Sequence, residues 1–179
     1  MFAHPVMALL FALGAVVAAV YYALVERCFE ALGPPPSICS IYDPGFWWVE
    51  RVWKLHTIHF LHIFDGTPFK NVLWRLIGVR MGRRVYDDGV YISEPTLTAI
   101  GDECVFNPQS IIQCESQEDG TFKSGPTAIG ARCTIGVGAF VHYDVMMGEG
   151  AVLAADSFLK KGEDVPPGAR WGGNPAREM

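Results

Sequence analysis

The second half of the chain repeats an apolar residue at every sixth position. The longest unbroken series is Ile129, Ile135, Val141, Met147, Leu153, Leu159 and Val165. Small or β-branched residues stand two positions before the first six of these, and a shorter block upstream repeats the spacing at Ile100, Phe106 and Ile112. A helix gives a period of 3.6 and a strand a period of two, so a period of six indicates a repeated structural unit.

This period predicts a left-handed parallel β-helix over residues 80–179, built from hexapeptide repeats. Such a coil turns a corner every six residues, with the apolar residue pointing inward and the small residue near the corner. Glycine follows the apolar residue at positions 130, 136 and 148. We expect it to supply the left-handed backbone of the corner, because glycine adopts positive φ readily. Each coil buries its face only against its neighbours, so the ends need caps.

The first 25 residues contain no Asp, Glu, Lys or Arg. Residues 5–25, at about 1.5 Å per residue, match the roughly 30 Å hydrocarbon core of a bilayer. They therefore predict a transmembrane helix within residues 1–27. A signal peptide would need a basic segment in front, which is missing, whereas a buried helix of a larger protein stays an alternative. Arg27 is the only nearby cation, so charge does not orient the span.

Residues 28–79 begin with a stiff break, Gly33-Pro34-Pro35-Pro36, and continue with a segment rich in Trp and Phe. Aromatic residues favour the membrane–water interface. We therefore expect a linker followed by amphipathic helices that lie at the interface or cap the β-helix. Between Ile112 and Ile129 the six-residue period is interrupted by a polar segment, residues 114–126. A long excursion from a rigid coil predicts a functional or disordered loop.

Composition limits which kinds of partner and ligand the protein can bind. Residues 80–179 carry 9 Lys and Arg against 14 Asp and Glu, which argues against nucleic acid and permits a cationic substrate. The five cysteines include no Cys-x-x-Cys pair, which favours reduced thiols, a cytoplasmic β-helix domain and no zinc cluster. Two of His56, His59 and His62 could share a metal, but amphipathic residues in an interfacial helix explain them better, and we expect no metal.

Two segments near the end of the chain resemble a known family. Val165-Pro166-Pro167-Gly168 and Gly173-Asn174-Pro175-Ala176 are similar to the ending of hexapeptide-repeat acyltransferases. Three further segments, residues 64–69, 78–89 and 118–120, resemble the C-terminal domain of membrane-bound enzymes related to non-ribosomal peptide synthetases, of the ε-poly-lysine synthetase type.

The resemblance implies that this chain is one module of a longer enzyme, following adenylation and carrier domains and accompanied by sister β-helix modules or forming a trimer. It implies amide formation between an aminoacyl thioester, held on the phosphopantetheine arm of a carrier, and a free amine. One position departs from the family pattern. Many relatives have His just ahead of the acidic pair of the loop, and this chain has Glu115. If that His is the family's base, the module is altered or silent.

Aminolysis of a thioester needs a base, donors for the oxyanion and a way to hold both reactants. His142 is the candidate base, because it stands at a corner position and titrates near neutrality. Asp144 could orient it, and Glu115 is a second candidate base. Together with Glu118 and Asp119, Glu115 could also bind the ammonium group of an acceptor. A solvated surface explains each of these residues as well.

Other polar residues are candidates for binding substrate. Asn107 and Gln113 occupy corner positions that we take as equivalent to His142 and could donate to a carbonyl. Lys160, Lys161, Arg170 and Arg177 could meet the phosphate of the pantetheine arm, with Trp171 packing against it. Cys104 and Cys133 stand in the small-residue register and are expected in the core.

Alternative functions stay open at this point. A free-standing acetyltransferase would use coenzyme A in place of a carrier thioester. A rigid β-helix also serves as a scaffold without catalysis, because a fold does not define a function. A zinc enzyme of the γ-carbonic-anhydrase type needs three convergent histidines, and residues 80–179 contain only His142, so we set it aside.

Overall fold

The structure is a computed structural model that describes residues 3–32, 37–47 and 59–179. Its helices are α1 (Ala3–Leu32) and α2 (Pro68–Ile77), with 3-10 turns at His59–Phe64 and Pro95–Leu97. The strands in chain order are β1 (Ile38–Ser40), β2 (Arg80–Met81), β3 (Tyr86–Asp87), β4 (Tyr91–Ile92), β5 (Thr98–Ile100), β6 (Val105–Phe106), β7 (Ile111–Ile112), β8 (Glu115–Glu118), β9 (Thr121–Ser124), β10 (Thr127–Ile129), β11 (Thr134–Ile135), β12 (Phe140–Val141), β13 (Met146–Met147), β14 (Val152–Leu153), β15 (Phe158–Leu159), β16 (Asp164–Val165), β17 (Arg170–Gly172) and β18 (Arg177–Glu178).

Apart from β8 and β9, the strands from β2 onward form three sheets of mainly parallel strands. Sheet 1 contains β2, β5, β10, β13 and β16, sheet 2 contains β3, β6, β11, β14 and β17, and sheet 3 contains β4, β7, β12 and β15. The final strand, β18, joins sheet 2 in the antiparallel sense. Successive strands belong to successive sheets, so the chain returns to the same sheet once per coil. The predicted parallel β architecture is confirmed.

The predicted apolar positions point inward and stack. Ile135 pairs with Leu153 in sheet 2, and Val141 pairs with Leu159 in sheet 3. All four side chains are completely buried. Residues six apart thus lie on adjacent sheets, and residues eighteen apart lie on neighbouring strands of one sheet. This arrangement is the structural origin of the six-residue period.

The reason given for the glycines is wrong. Gly130, Gly136 and Gly148 do not have positive φ, whereas left-handed residues occur two positions further on, at Arg132 (φ 59°), Gly138 (φ 65°) and Gly150 (φ 73°). A Cβ atom on Gly136 would lie 2.4 Å from the backbone nitrogen of Ala155 in the next coil. The glycine therefore permits close approach of adjacent coils, and the left-handed turn lies elsewhere in the repeat.

The polar excursion is an ordered hairpin and does not form the expected loop. Strands β8 and β9 pair in the antiparallel sense around Asp119-Gly120, whose φ angles of 52° and 70° fit a two-residue hairpin turn. Strand β1 extends this sheet by pairing with β9. Phe122 is buried and its ring centroid lies 5.4 Å from that of Phe46. The hairpin is thus held by the segment that follows α1.

Helix α2 packs against the first coil. Trp74 and Ile77 join the main core, and α2 contacts β2 and β3. In β3 the inner position is held by Asp87, which pairs with Phe106 in register. Lys70, also buried, lies 3.0 Å from the Asp87 carboxylate, and Trp74 Nε1 donates to the same group at 2.8 Å. These contacts compensate the buried charge, which would otherwise be costly.

Helix α1 contacts α2, and its segment His4–Val25 is long and apolar enough to cross a membrane. Most of the large apolar side chains of that segment are exposed. The predicted helices of residues 48–58, with Trp48, Trp53 and His56, lie outside the described residues.

Replacing an inner residue by a charged one tests the stacking. We expect Ile135→Asp to lower the free energy of unfolding by on the order of 4 kcal/mol, because it buries a charge without a partner. Thr134→Asp is the matched control. It adds the same group at the adjacent, half-exposed position and should cost less than about 1 kcal/mol. Urea unfolding of the detergent-solubilised protein measures both, and equal midpoints would contradict the register.

Candidate functional site

One corner of the coil carries a side chain at every level. The residues that directly follow the inner position of sheet 3 are Ser93, Gln113, His142 and Lys160. The corresponding residues after sheet 1 are Gly82, Gly101, Gly130, Gly148 and, after the last strand of that sheet, Pro166. At the glycine corner a Cβ atom would collide with the neighbouring coil, for example 2.4 Å from the nitrogen of Pro167 at Gly148. Functional groups can therefore project from the corner after sheet 3, here named the polar corner.

The hairpin leaves the coil at the polar corner, directly after Gln113 and Cys114. The Ser116 hydroxyl donates to Tyr143 Oη at 3.3 Å. Glu118 forms an ion pair with Lys161, whose ammonium lies 5.9 Å from the centroid of the Tyr143 ring. The structure thus brings the acidic segment of the hairpin to the coil level of His142.

His142 is buried, with 8% of its surface exposed. Its ring makes edge-to-face contacts with Tyr143 (4.7 Å between centroids), Phe140 (5.6 Å) and Phe158 (6.1 Å). Burial lowers the pKa of His142, and the positive charge of Lys161 lowers it further, whereas a hydrogen bond to the Gln113 backbone and the charge of Glu118 act in the opposite direction. The net lowering favours a neutral imidazole at neutral pH.

The hydrogen bonds of the ring define its tautomer. Nδ1 lies 3.0 Å from the backbone nitrogen of Tyr143, which can only donate, so Nδ1 accepts. In the neutral ring the proton is then on Nε2. The hydrogen bond to Gln113 raises the pKa, which is the effect of a ring N–H donating to a backbone carbonyl. His142 therefore contacts backbone on both sides, and it must release one of these bonds before it can accept a proton.

Asp144 does not face the ring. Its carboxylate lies against Gly125, where the hairpin rejoins the coil, so closely that a Cβ atom there would be 2.0 Å from Oδ1. The charged groups that act on His142 are Lys161 and Glu118. Glu115 is buried at the base of the hairpin, and Asp119 is exposed at its turn. Gln113 Nε2 lies 3.4 Å from the backbone oxygen of Glu115.

Several candidate binding residues lie elsewhere. Asn107 follows sheet 2, so it occupies a different corner from His142, and its Nδ2 donates to the backbone oxygen of Ile135 at 2.8 Å. Arg170 is exposed on β17, and Trp171 stands at an inner position opposite Leu153 and packs against the core. Lys160 and Arg177 each lie 3.4 Å from Glu163. These two basic residues thus converge on one carboxylate, whereas Lys161 pairs with Glu118 of the hairpin.

Sequence reasoning missed Glu94, Tyr91, Ser116 and Tyr143. Glu94 Oε2 accepts a hydrogen bond from the backbone nitrogen of Cys114 at 2.7 Å. Burial raises the pKa of Tyr91, and the charges of Glu94 and Glu115 raise it further. A signal was present, because Glu94 follows the inner residue Ile92 by two positions, as Tyr143 follows Val141. The first coil is longer than the later ones, because Ile92 pairs with Ile112. Counting in steps of six therefore does not show that Glu94 and Tyr143 occupy equivalent positions.

The cysteines and histidines give no metal centre in the part of the chain that the structure describes, where no group of three potential ligands is found. Cys104, Cys114 and Cys133 are buried, and burial raises the pKa of Cys114 to about 11. His62 Nδ1 contacts Asp65 at 3.0 Å. The side chains of His56 and His59 lie outside the described residues.

Comparison with solved structures identifies the fold. A galactoside acetyltransferase in complex with coenzyme A superposes with a TM-score of 0.54 at 18% identity, covering 79% of this chain and 84% of that one. A maltose O-acetyltransferase from Clostridium difficile gives 0.53 at 17% identity, with coverages of 79% and 90%. A hexapeptide-repeat acetyltransferase from Vibrio cholerae gives 0.52 at 18% identity, with coverages of 66% and 85%. This chain has the hexapeptide-repeat acetyltransferase fold.

A curated protein gives a sequence match. Delta-poly-L-ornithine synthetase from Acinetobacter baumannii is 30% identical over 145 residues, which cover 79% of this chain. The chain spans only 11% of the length of that protein. No family model matches the sequence.

Removing either partner of the Glu118–Lys161 ion pair should shift the pKa of His142, in opposite directions for the two partners. Lys161→Met removes a positive charge and leaves Glu118, so the pKa of His142 should rise. Glu118→Gln leaves Lys161 and should lower the same pKa. NMR titration of the His142 ring protons measures both. Shifts in the same direction for the two variants would show that the pair does not act on His142 through its charges.

Proposed function

We propose that this chain is an acyl- or aminoacyl-transferase module that joins a carrier-bound thioester to a free amine. The observation that carries the proposal is the match to the poly-ornithine synthetase. The match is longer than the 100 residues from Arg80 to Met179, so it includes part of the segment before the coils. A resemblance confined to repeats would reflect only the fold. The solved structures of the same fold are acetyltransferases by name, which supports a transferase.

Three further proposals concern the architecture of the module, its position at the membrane and the domains that accompany it. The three sheets close into a left-handed β-helix, which the order of the strands supports. Helix α1 crosses the membrane, supported by its length and exposed apolar surface, and the coils stand on the cytoplasmic side. Adenylation and carrier domains of the same enzyme supply the thioester.

The reaction is an aminolysis. The nitrogen lone pair of the neutral amine attacks the thioester carbonyl carbon, and a tetrahedral oxyanion forms. The carbon–sulfur bond then breaks, the nitrogen loses a proton, and the thiolate leaves with the carrier and takes up a proton. The protein has to remove the amine proton, donate hydrogen bonds to the oxyanion and hold the reactants together.

We assign these tasks to the polar corner and the hairpin. His142 acts as the base after its ring turns away from the Tyr143 backbone N–H, and its lowered pKa keeps it unprotonated at neutral pH. Glu118 is exposed, and with Asp119 it attracts a cationic amine. We assign the hydrogen bonds to the oxyanion to the Gln113 side chain and the Tyr143 hydroxyl, which lie at the polar corner and beside the hairpin. Glu115 is the second candidate base.

The pantetheine arm constrains where its phosphate can lie. Adjacent coils are about 4.8 Å apart, and an extended arm spans several such steps. Lys160 is one coil from His142, so an extended arm with its phosphate bound at Lys160 would carry its thioester past His142. Arg170 lies on a different sheet. We therefore assign the main phosphate contacts to the carrier domain or a sister module and leave Lys160 an auxiliary role.

The outer face of sheet 3 is the surface that a sister module or a second copy fits. Its outward residues are Tyr91, Ile111, Phe140 and Phe158, all apolar or aromatic. The outer faces of sheets 1 and 2 carry charged residues, including Asp164 and Arg170. A flat apolar face beside the polar corner favours packing of a second β-helix there. A trimer or three tandem modules would place the corner in a groove between two prisms.

A free-standing acetyltransferase is the second candidate. The galactoside acetyltransferase of the same fold contains coenzyme A, which carries the same pantetheine arm as a carrier. In that case the polar corner keeps its role and the thioester donor is a free cofactor. A scaffold without catalysis is the third candidate, and it predicts no effect of substitutions at His142.

Two substitutions of His142 in the full-length enzyme test the proposal. His142→Ala should slow amide formation by about 10²–10⁴-fold, the usual contribution of a general base. His142→Gln retains a hydrogen-bond donor but cannot transfer a proton, so it should be as slow if His142 is the base and nearly normal if the ring only positions the backbone. Single-turnover product formation, followed by mass spectrometry, measures both.

Glu115→His is the complementary arm of this experiment. It restores the residue that many relatives are expected to carry, so a gain in rate would identify Glu115 as the altered base position. Normal rates for both His142 variants would contradict the assignment of His142. Normal folding of each variant is checked by its urea midpoint.

A further inference from the structure

Helix α2 exposes three large apolar residues, together with Arg75, on the side that faces away from the coils. Phe69, Val72 and Leu76, at spacings of three and four, face outward with 65%, 49% and 49% of their surface exposed. The opposite side buries the polar residues Lys70 and Asn71 together with Trp74 and Ile77. A helix on the surface of a soluble domain normally points its polar face to water and its apolar face to the core.

The polar contacts of α2 fix this orientation. Lys70 pairs with Asp65 and Asp87, and Asn71 Nδ2 donates to the backbone oxygen of Val85. Trp74 donates to Asp87 from the same side. Turning α2 to hide its apolar residues would remove the Lys70 cation and the Trp74 donor from the buried Asp87 carboxylate, which would keep only backbone N–H groups, at a high free-energy cost. The apolar side of α2 is therefore held outward by the first coil.

The contact between α2 and α1 indicates what covers this side. Among the residues of α1 whose burial is described, Ala15 and Ala19 are the buried ones, with 6% and 5% exposed. We take this pair as the site of the α1–α2 contact, because small residues allow helices to approach closely. The midpoint of the His4–Val25 segment is near Gly14. Ala19 is therefore about 7 Å from the middle of a bilayer that this segment spans, or about 8 Å inside the hydrocarbon boundary. Amphipathic helices that lie in the membrane plane are buried to about 5–10 Å.

We propose that α2 is an in-plane membrane helix whose outward face contacts lipid acyl chains through Phe69, Val72 and Leu76. Ile63, exposed just before the helix, extends the same surface. The inference rests on the proposed membrane span of α1. One face of α2 then caps the first coil and the other lies in the bilayer, so later coils, including the one with His142, stand further from the membrane.

Fluorescent probes in lipid vesicles test the proposal. Cysteine replaces Phe69, Val72 or Leu76 in a protein with Cys28→Ser and Cys39→Ser, because the other three native cysteines are buried. Each is labelled with a polarity-sensitive fluorophore, and the full chain is reconstituted in phosphatidylcholine vesicles with lipids that carry a nitroxide near the top of the acyl chain. Phe11→Cys in α1 and Met146→Cys on the outer face of sheet 1 are the controls, and both positions are exposed.

The expected result is a blue-shifted emission and loss of fluorescence by nitroxide quenching at all three α2 positions, with neither at Met146. Quenching at Phe11 but none on α2 would overturn this inference and leave the span intact. A water-like probe at Phe11 would overturn the span itself. A blue shift on α2 without lipid quenching would show that protein, such as a second copy, covers the face, and would also overturn the inference.

Discussion

The close stacking of one coil on the next is the constraint on which the rest of the structure depends. Neighbouring parallel strands lie about 4.8 Å apart, and backbone hydrogen bonds connect the coils, as from Gly136 N to Leu153 O at 2.8 Å. This spacing leaves room for an apolar side chain inside but not for a Cβ atom at the corner after sheet 1. Inner apolar residues and corner glycines are two results of the same spacing.

The same constraint localises the candidate site. Only the corner after sheet 3 carries a side chain at every level of the described coils, and the hairpin leaves the coil there. The stacked rings of Phe140 and Phe158 partly bury His142 and lower its pKa. The backbone on both sides holds the ring in one tautomer. The site therefore has a neutral imidazole, an adjacent ion pair and an acidic strand, and it lies beside an apolar face of sheet 3.

The sequence allowed us to predict which residues point inward, but not which of the three sheets each of them belongs to. Position within the repeat follows a period of six, so Ile135, Val141 and Leu153 were assigned correctly to the interior. The face follows a period of eighteen, and the longer first coil and the inserted hairpin break that count. Asn107 was therefore grouped with Gln113 and His142 although it lies on another corner, and Glu94 was missed. The turn of the hairpin was predictable from the Asp119-Gly120 dipeptide, because Asp-Gly is a preferred pair for a two-residue hairpin turn. Its pairing with β1 depends on a contact between distant segments, which no local pattern encodes.

The most direct test of the account is a structure of the full-length enzyme with its carrier loaded with a stable amide analogue of the aminoacyl thioester. The account predicts density for the end of the pantetheine arm at the polar corner, within contact of His142 and the hairpin residues Glu115 and Glu118, with the outer face of sheet 3 covered by a neighbouring β-helix. An arm that ends at another surface of this module, with the polar corner open to solvent, would contradict it.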